Sequence, residues 1–310
     1  DFCLSRGLGD VYKRQRFLYL GDEKGPVEEP VWRTPVQLRF VESGGDRPEQ
    51  TILAGGDAVT FEMGRANAVL VNAGGHGFYR VRYTPDLRAP LLGALDRLLA
   101  IERFNLVNDA WAAVLAGLTP LAEYLDLTGR FRGERDKNVW SVIVGSFQTL
   151  NRVVAAEARP WLAALVRDRL TPAASALGWR PAAGESELTG QLRGDLLRAL
   201  GTLGDDANVQ GQAAEAFAGQ AADANVLAAA VAVLAHVGDA GRYAEFEQRF
   251  RAARTPQEEQ RYLLALAGFR RPELIDKTLA RTLEGDVRTQ DAPFVPVSYT
   301  HLTLPTILRV

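Results

Sequence analysis

Two runs of this chain set its architecture: Asn72-Ala-Gly-Gly-His-Gly-Phe-Tyr-Arg-Val-Arg-Tyr83 and, a short interval later, Glu102-Arg-Phe-Asn-Leu-Val-Asn-Asp-Ala-Trp111. The first is a glycine loop that opens a strand, because apolar residues alternate with two arginines after it. The second opens a helical region, and the period of the apolar residues changes abruptly after Tyr83. We therefore predict a β region followed by a longer α region.

Residues 16–83 predict a small antiparallel β-sandwich. Apolar and polar residues alternate in three stretches, which places each apolar set on one face of a strand. The apolar positions are Val36, Leu38, Phe40, Val59, Phe61, Met63, Tyr79, Val81 and Tyr83. Glycine-rich turns connect the stretches, and glycine adopts the positive φ angles that tight hairpins need. Arg80 and Arg82 are expected on the outer face or at the joint with the next domain.

Residues 84–294 predict an α-α superhelix of the HEAT or armadillo kind. Threonine–proline pairs beginning at Thr84, Thr119, Thr171 and Thr255 are typical of helix starts, since the hydroxyl can cap the helix and proline suits its first position. Apolar residues recur at helical spacing in residues 106–118, 139–150 and 188–200. We expect about ten or eleven helices joined by short loops. Helix pairs joined in this way stack into a curved solenoid.

We predict that residues 1–15 and 295–310 are not native to the protein. They share no character with the residues between them and resemble stretches translated through sequencing-adapter DNA. The alternative is a pair of disordered natural termini. The chain starts at Asp1 and its single methionine is Met63, so we expect that an upstream part is missing or that the N-terminus is processed.

The composition argues against several classes of protein. The chain has 310 residues, of which 47% are hydrophobic, enough for two domains with a sizeable core. A formal net charge of −2 provides no electrostatic footprint for nucleic acid or an anionic membrane, and no apolar run is long enough to span a bilayer. Cys3 is the single cysteine, which excludes an internal disulfide and a cysteine metal site. The bias towards arginine and alanine indicates a bacterial source, and we expect a cytoplasmic location.

The sequence contains no motif for catalysis or metal binding. A His-Glu-x-x-His zinc helix needs two histidines one turn apart, and His76, His236 and His301 lack that spacing. We interpret His76 as a turn residue and His236 as a cation at the C-terminal end of a helix. The glycine run does not match a phosphate loop, since it lacks the lysine and opens a strand. The acidic pairs Asp205-Asp206 and Glu258-Glu259 are interpreted as solvated caps, because adjacent residues on a helix point in different directions.

Residues 16–294 resemble the C-terminal part of the zinc aminopeptidases of the aminopeptidase N and puromycin-sensitive aminopeptidase family. The resemblance rests on the order and spacing of several landmarks rather than on any single one. They are Arg16-Phe-Leu-Tyr19, Trp32 with Pro35, the Asn72–Tyr83 run, Asp109-Ala-Trp111, Leu177-Gly-Trp179 and Arg288-Thr-Gln-Asp291.

The resemblance implies that this chain is the non-catalytic part of an enzyme. In that family a catalytic domain comes first, with a zinc-binding His-Glu-x-x-His motif and a Gly-x-Met-Glu-Asn strand, and neither motif occurs here. Zinc is therefore implied for the full-length enzyme, and no cofactor for this portion. The implied partners are the missing N-terminal catalytic domain of the same polypeptide and a peptide substrate. The implied role is a lid and chamber wall that limits substrate size and excludes water.

The segment Asp286-Val-Arg-Thr-Gln-Asp291 supplies the candidate site residues Arg288, Gln290 and Asp291. It resembles a family segment near the hollow between the helical and catalytic domains. Arg288 could meet a peptide carboxylate, since a guanidinium pairs with one through two hydrogen bonds. The alternative is a salt bridge at a helix end. Arg103 and Asp109 also match a family motif, and we interpret them as forming a structural ion pair.

Two functions remain open at this point. In the first, the chain forms the lid and substrate-chamber wall of a zinc aminopeptidase. In the second, it is a free-standing α-solenoid scaffold that binds a protein or peptide and has no enzymatic activity. A His-Glu-x-x-His helix encoded upstream of Arg16 would favour the first, and a start codon there would favour the second.

Overall fold

The computed structural model describes residues 33–42, 45, 49–55, 59–60, 64–219, 223–283, 287–288, 290–293 and 295–296, and the backbone of residues 5–8 and 12–15. Within these ranges the chain is mostly helical, with eleven α-helices and a small antiparallel sheet near its start. The helical character and the helix number agree with the sequence prediction. None of the described helices combines the length and apolar character needed to cross a membrane.

The chain divides into two compact units, residues 1–131 and residues 132–310. The described strands lie in the first unit, which also contains the first three α-helices. The change from alternating to helical periodicity after Tyr83 therefore falls inside this unit. The second unit contains the other eight described α-helices.

The sheet of the first unit has three antiparallel strands in the order β4-β3-β5. Its central strand pairs Leu38 with Gln50 on one side and with Val71 on the other. A separate antiparallel pair is formed by β1 and β2. This small sheet is the part of the predicted sandwich that the described residues confirm. The strands are β1 (Ser5–Leu8), β2 (Tyr12–Gln15), β3 (Thr34–Val41), β4 (Gln50–Ala54) and β5 (Ala68–Val71).

The core of the first unit forms where the alternation predicts it. The apolar side chains of β3 are fully buried and pack against β5 and against the segment after the glycine loop. Leu87 of the first helix packs against the same cluster. The buried members are Val36, Leu38, Phe40, Val69, Tyr79 and Val81.

Two of the predicted strands differ from the structure. Val59 and Thr60 lie outside any strand, and Val59 is 47% exposed, while the remainder of that stretch, 61–63, falls outside the described residues. After the glycine loop only Tyr79 forms an isolated β-bridge. The amide of Val81 donates to the carboxylate of Asp109 at 3.0 Å instead of to a neighbouring strand. The predicted burial of alternate residues is correct here, but a side chain has taken the place of a strand partner.

Three helices complete the first unit: α1 (Pro85–Leu92), α2 (Ala100–Leu115) and α3 (Leu121–Thr128). The Thr84–Pro85 pair starts α1 as predicted, although the Thr84 hydroxyl does not cap the helix. The second pair is displaced by one residue, since Pro120 occupies the cap position of α3.

The second unit is built from consecutive helices with mostly short connections. Aspartate, serine or threonine side chains accept backbone N–H groups at six of their N-termini, which satisfies donors that a helix start leaves unpaired. Asp206 is one of these caps, as predicted. The helices are α4 (Lys137–Val153), α5 (Arg159–Leu177), α6 (Glu187–Thr202), α7 (Ala207–Ala218), α8 (Ala224–Val237), α9 (Ala240–Arg251), α10 (Pro256–Leu266) and α11 (Pro272–Leu283).

The Thr171–Pro172 pair does not start a helix, because Pro172 lies inside α5. Proline has no N–H, so the carbonyl of Asp168 one turn earlier loses its helical hydrogen bond. That carbonyl instead accepts from Nε of Arg132 at 3.3 Å, while Nη2 of the same guanidinium bonds the Asp168 carboxylate at 2.5 Å. A side chain distant in sequence therefore supplies the missing donor, which the local pattern could not indicate.

The core of the second unit is rich in aromatic rings. Phe246 lies at its centre, with ring centroids 5.5–6.0 Å from those of Phe217, Tyr262 and Phe269. The predicted stripe of α4 is also confirmed, since Val139, Trp140, Ile143, Phe147 and Leu150 are all buried. Helical periodicity therefore identified the buried face of this helix correctly.

Candidate functional site

The glycine loop is held in shape by Asn72, whose backbone has the left-handed φ of 63°. The side-chain Oδ1 of Asn72 accepts from the amide of Gly77 at 2.7 Å, and its Nδ2 donates to the carbonyl of Gly77 at 3.0 Å. A Cβ on Gly77 would lie 2.1 Å from the ring of Tyr79. The loop therefore requires glycine at this position and is rigidly closed by one side chain.

Glu102 ties this loop to α2. Its side chain is buried, with Oε1 accepting from the amide of Gly74 at 2.9 Å. Oε2 accepts from the amide of Leu99 at 2.8 Å and from Nη2 of Arg39 at 2.5 Å. The sequence analysis missed this role, because a buried glutamate with partners 28 and 63 residues away has no local pattern. Its position three residues after a helix cap was the one available signal.

Asp109 forms a second buried anchor about two turns further along the same face of α2. Its Oδ1 accepts from Nη1 of Arg80 at 2.9 Å. Burial raises the pKa of the Asp109 carboxyl, and the hydrogen bonds from Arg80 and from the Val81 amide oppose that rise. Burial also raises the pKa of Tyr83, whose hydroxyl accepts from the amide of Val71 at 2.9 Å. Asp109 does form a structural ion pair, but the predicted partner is wrong: Asp109 pairs with Arg80, while Nη1 of Arg103 donates to the carbonyl of Leu98 at 2.6 Å.

These polar groups stabilise the first unit and leave little space for a ligand. The cavity that Asn72, Glu102, Asn105 and Asp109 line has a volume of about 10 Å³, the space of a single water. Both carboxylates already accept hydrogen bonds from protein donors. The carboxylates of Glu102 and Asp109 therefore hold the glycine loop and the segment after it against α2, and we call these two residues and their hydrogen-bond partners the buried latch.

The predicted site residues lie in a turn after α11. Arg288 and Gln290 are exposed, and Asp291 is half-buried, with its amide donating to the carbonyl of Arg288 at 2.8 Å. The flanking residues Val287 and Val295 are buried in the core of the second unit, which anchors the turn at both ends.

The guanidinium of Arg288 pairs with the carboxylate of Glu259 on α10, with Nη2 and Oε2 2.6 Å apart. The salt-bridge alternative is therefore the arrangement that the structure contains. Glu258, the neighbour of Glu259, accepts from the backbone of Arg254 at 3.1 Å, and its own amide donates to the Thr255 hydroxyl at 3.2 Å. Together these two bonds approximate a capping box, with the reciprocal bond displaced by one residue.

The described histidines do not form a metal site. His76 lies in the first unit and His236 in the second, while His301 falls outside the described residues. No three histidine, cysteine, aspartate or glutamate side chains of the described chain lie close enough together to hold a metal ion.

His236 lies in the last turn of α8, as predicted, but it is not a cation at neutral pH. Burial and the nearby charge of Arg270 lower its pKa from 6.5 to about 4. Its Nδ1 is buried without a hydrogen-bond partner in the described chain, and its Nε2 lies 3.4 Å from Nη1 of Arg270. The expected attraction to the helix end is outweighed by the cost of charging a buried ring.

The pH dependence that follows from His236 has a definite sign. With a lowered pKa, the folded state binds fewer protons than the unfolded state between pH 6.5 and about 4. Stability therefore rises with pH across this window. The contribution of His236 is complete above pH 6.5 and is lost as the pH falls towards 4.

Comparison with known proteins identifies the helical part of the chain. Residues 68–301 match the model of the ERAP1-like C-terminal domain. The chain is 31% identical over 246 residues to Aminopeptidase M1 of Arabidopsis thaliana, which covers 74% of this chain and 28% of that protein. It is 26% identical over 287 residues to the Alanine/arginine aminopeptidase of Saccharomyces cerevisiae, covering 90% of this chain and 33% of that protein.

The chain thus spans about a third or less of the length of these relatives. The family match covers all of α1–α11 together with the glycine loop and the buried latch around Glu102 and Asp109. On this basis the chain belongs to the family of ERAP1-like C-terminal domains, which are the C-terminal domains of M1 aminopeptidases.

Proposed function

We propose that the chain is the non-catalytic C-terminal portion of a zinc-dependent aminopeptidase that removes N-terminal residues from peptides. The observation that carries this proposal is the family match over residues 68–301, together with relatives that are named aminopeptidases. The partners of the chain are then the N-terminal catalytic domain of the same polypeptide and a peptide substrate, and the enzyme works in the cytoplasm.

Within that enzyme the chain forms the lid and wall of the substrate chamber. The proposal includes an α-α superhelix for the helical part and a β-sandwich that includes the sheet β4-β3-β5. The hydrogen bonds of the buried carboxylates favour a structural role over a catalytic one. Glu102 and Asp109 accept hydrogen bonds on both carboxylate oxygens, so they hold the protein together and are not poised for proton transfer.

The described residues of this chain do not fit the zinc ion of the proposed enzyme. Zinc in a hydrolase needs three protein ligands of the histidine or carboxylate type around an open position. His76 and His236 belong to different units, and the described residues contain no cluster of three such ligands. We therefore assign no step of peptide cleavage to this chain.

Arg288, Gln290 and Asp291 are our candidates for contact with the peptide. Their turn is anchored by two buried valines, which positions it without relying on the substrate. The guanidinium of Arg288 is half-exposed, and its pair with Glu259 is of the surface type, which contributes little stability. A peptide carboxylate could therefore replace Glu259 at small cost. The substrate contact proposed here is the terminal carboxylate of a short peptide.

The proposal is tested with a chimeric enzyme in which this chain replaces the region that it matches in Arabidopsis Aminopeptidase M1. Hydrolysis is measured for a short peptide with a free C-terminus and for the same peptide as its C-terminal amide. We expect Arg288→Ala to raise KM for the free acid by about tenfold, the loss of one charge-assisted hydrogen bond pair, and to leave the amide unchanged.

Arg198→Ala is the matched control, because Arg198 is an equally exposed arginine paired with one carboxylate on α6. Arg198→Ala should leave KM unchanged for both substrates. If the folded chimera is no more active than Arabidopsis Aminopeptidase M1 from which the matched region has been deleted, the chamber role is refuted. If Arg288→Ala and Arg198→Ala change KM equally, only the assignment of Arg288 to the substrate is refuted.

A further inference from the structure

An unusual concentration of positive charge surrounds Glu247 on α9. Its Oε2 accepts from Nζ of Lys277 at 2.8 Å, and its Oε1 accepts from Nη2 of Arg251 at 3.1 Å and from Nη2 of Arg281. Two helices, α9 and α11, supply these four side chains, which we call the Glu247 cluster. Three cations thus share one carboxylate.

Among the described residues, Glu247 is the one carboxylate that forms a salt bridge with these three cations. Glu245, the next carboxylate along α9, is already contacted by Arg242 and Arg249. Arg251 and Arg281 lie in the last turns of α9 and α11, and each helix end contributes about half a negative charge. These two ends reduce the excess of two positive charges to about one, which leaves the site attractive to an anion.

A second observation is the state of Arg281, which is only 5% exposed. Its Nη1 is buried and has no hydrogen-bond partner in the described part of the chain. An unpaired buried donor is costly, and buried polar groups in native proteins nearly always have a partner. Glu247 already accepts three hydrogen bonds, and none of them comes from Nη1 of Arg281.

The cluster is also open to solvent. The side chain of Lys277 is 50% exposed and that of Arg251 is 64% exposed, so their remaining donors can reach a ligand. Lys277 is held in place by the ring of Tyr243, with Nζ 4.9 Å from the ring centroid. A site with one buried donor and two oriented, accessible donors is suited to an acceptor-only ligand.

We propose that the Glu247 cluster is a binding site for an oxyanion, either a carboxylate or a phosphate group. Such a group supplies the acceptor oxygens that Glu247 alone does not provide, and it takes charge-assisted hydrogen bonds from Lys277 and Arg251. Its charge neutralises the excess next to the buried guanidinium of Arg281. This site is independent of the proposed aminopeptidase role.

The test uses the whole chain with inorganic phosphate or succinate as the probe, titrated at constant ionic strength and followed by thermal unfolding and calorimetry. We expect a saturable rise of the midpoint temperature, since a ligand that binds only the folded state stabilises it. Lys277→Met should weaken binding by about tenfold, the effect of one charge-assisted hydrogen bond. Lys277 is half-exposed, so this variant should fold.

Arg198→Met is the control and should bind the probe with unchanged affinity, because Arg198 is one of two cations that share Asp195. The absence of a saturable effect, or an equal loss in the two variants, would overturn the proposal. The chain also carries its own carboxylates at Glu284 and Asp286, outside the described residues. If binding is seen only after Glu284→Gln and Asp286→Gln, these side chains are the occupant and the proposed ligand site does not exist.

Discussion

Gly201 lies at a close contact between α6 and α8, and replacing it with alanine should destabilise the second unit. A Cβ at this position would lie 2.5 and 2.7 Å from the two methyl groups of Val233, which is buried. A β-branched side chain has little freedom to move aside. Overpacking of this kind costs about 1–3 kcal/mol, while alanine gains roughly 0.5–1 kcal/mol over glycine in a helix.

The net expectation for Gly201→Ala is a loss of about 1–2 kcal/mol in the free energy of unfolding, or roughly 3–6 °C in midpoint temperature for a domain of this size. Gly211→Ala on α7 is the matched control, because a Cβ there has no neighbour within 4 Å. This control should gain about 0.5–1 kcal/mol from helix propensity alone. The gain in helix propensity is common to both variants, so Gly201→Ala should be less stable than Gly211→Ala by the overpacking cost of about 1–3 kcal/mol.

Urea unfolding followed by circular dichroism measures this difference. A second variant isolates the cause, since Val233→Ala removes both methyl groups that the new Cβ would meet. In the Val233→Ala background, Gly201→Ala should lose most of its cost, which gives a favourable coupling energy of about 1 kcal/mol or more. If Gly201→Ala is as stable as Gly211→Ala, or if the cost persists without the Val233 methyl groups, the close-packing argument is wrong.

Three further predictions concern other contacts. Glu102→Ala should cost about 3–5 kcal/mol, because it removes the buried carboxylate that accepts from Arg39 and from two backbone amides, whereas Glu123→Ala at the partly exposed pair with Arg88 should cost less than about 1 kcal/mol in the same urea assay. Arg132→Met should cost about 0.5–1 kcal/mol, and the loss should shrink in a Pro172→Ala background, where the helix regains its own donor to the Asp168 carbonyl; an equal loss in both backgrounds would contradict this. Between pH 6.5 and 4, the free energy of unfolding of the parent should fall by up to about 3 kcal/mol more than that of His236→Asn, because only the parent has the buried imidazole. Equal losses of stability in parent and variant, measured by urea unfolding at several pH values, would contradict this.

Periodicity was a reliable guide where the buried face of an element repeats along the chain. The alternation in β3 and the stripe in α4 each identified side chains that are buried in the structure. The same signal was less reliable for strand formation after the glycine loop. The backbone there is paired with Asp109, a side chain 28 residues away from Val81, so the correct face occurs without a strand.

Local helix signals succeeded when their partners were also local. The Thr255–Pro256 pair begins α10, and its cap bonds join residues three or four positions apart. The identical pair at Thr171 lies within α5, since Arg132 repairs the hydrogen bond that Pro172 removes. No short window of sequence contains both residues of that interaction.

The amino-acid order alone determined the division into a small β part and a long helical part, the buried faces of β3 and α4 and the membership of an aminopeptidase-related family. These properties repeat with periods of two or 3.6 residues, or lie in contiguous motifs, so they can be read without knowing which elements meet. The tertiary structure alone decided that Glu102 anchors the glycine loop, that His236 is neutral and that three cations converge on Glu247. Each of these depends on burial and on charges brought together from distant parts of the chain, and no period or motif in the sequence encodes such proximity.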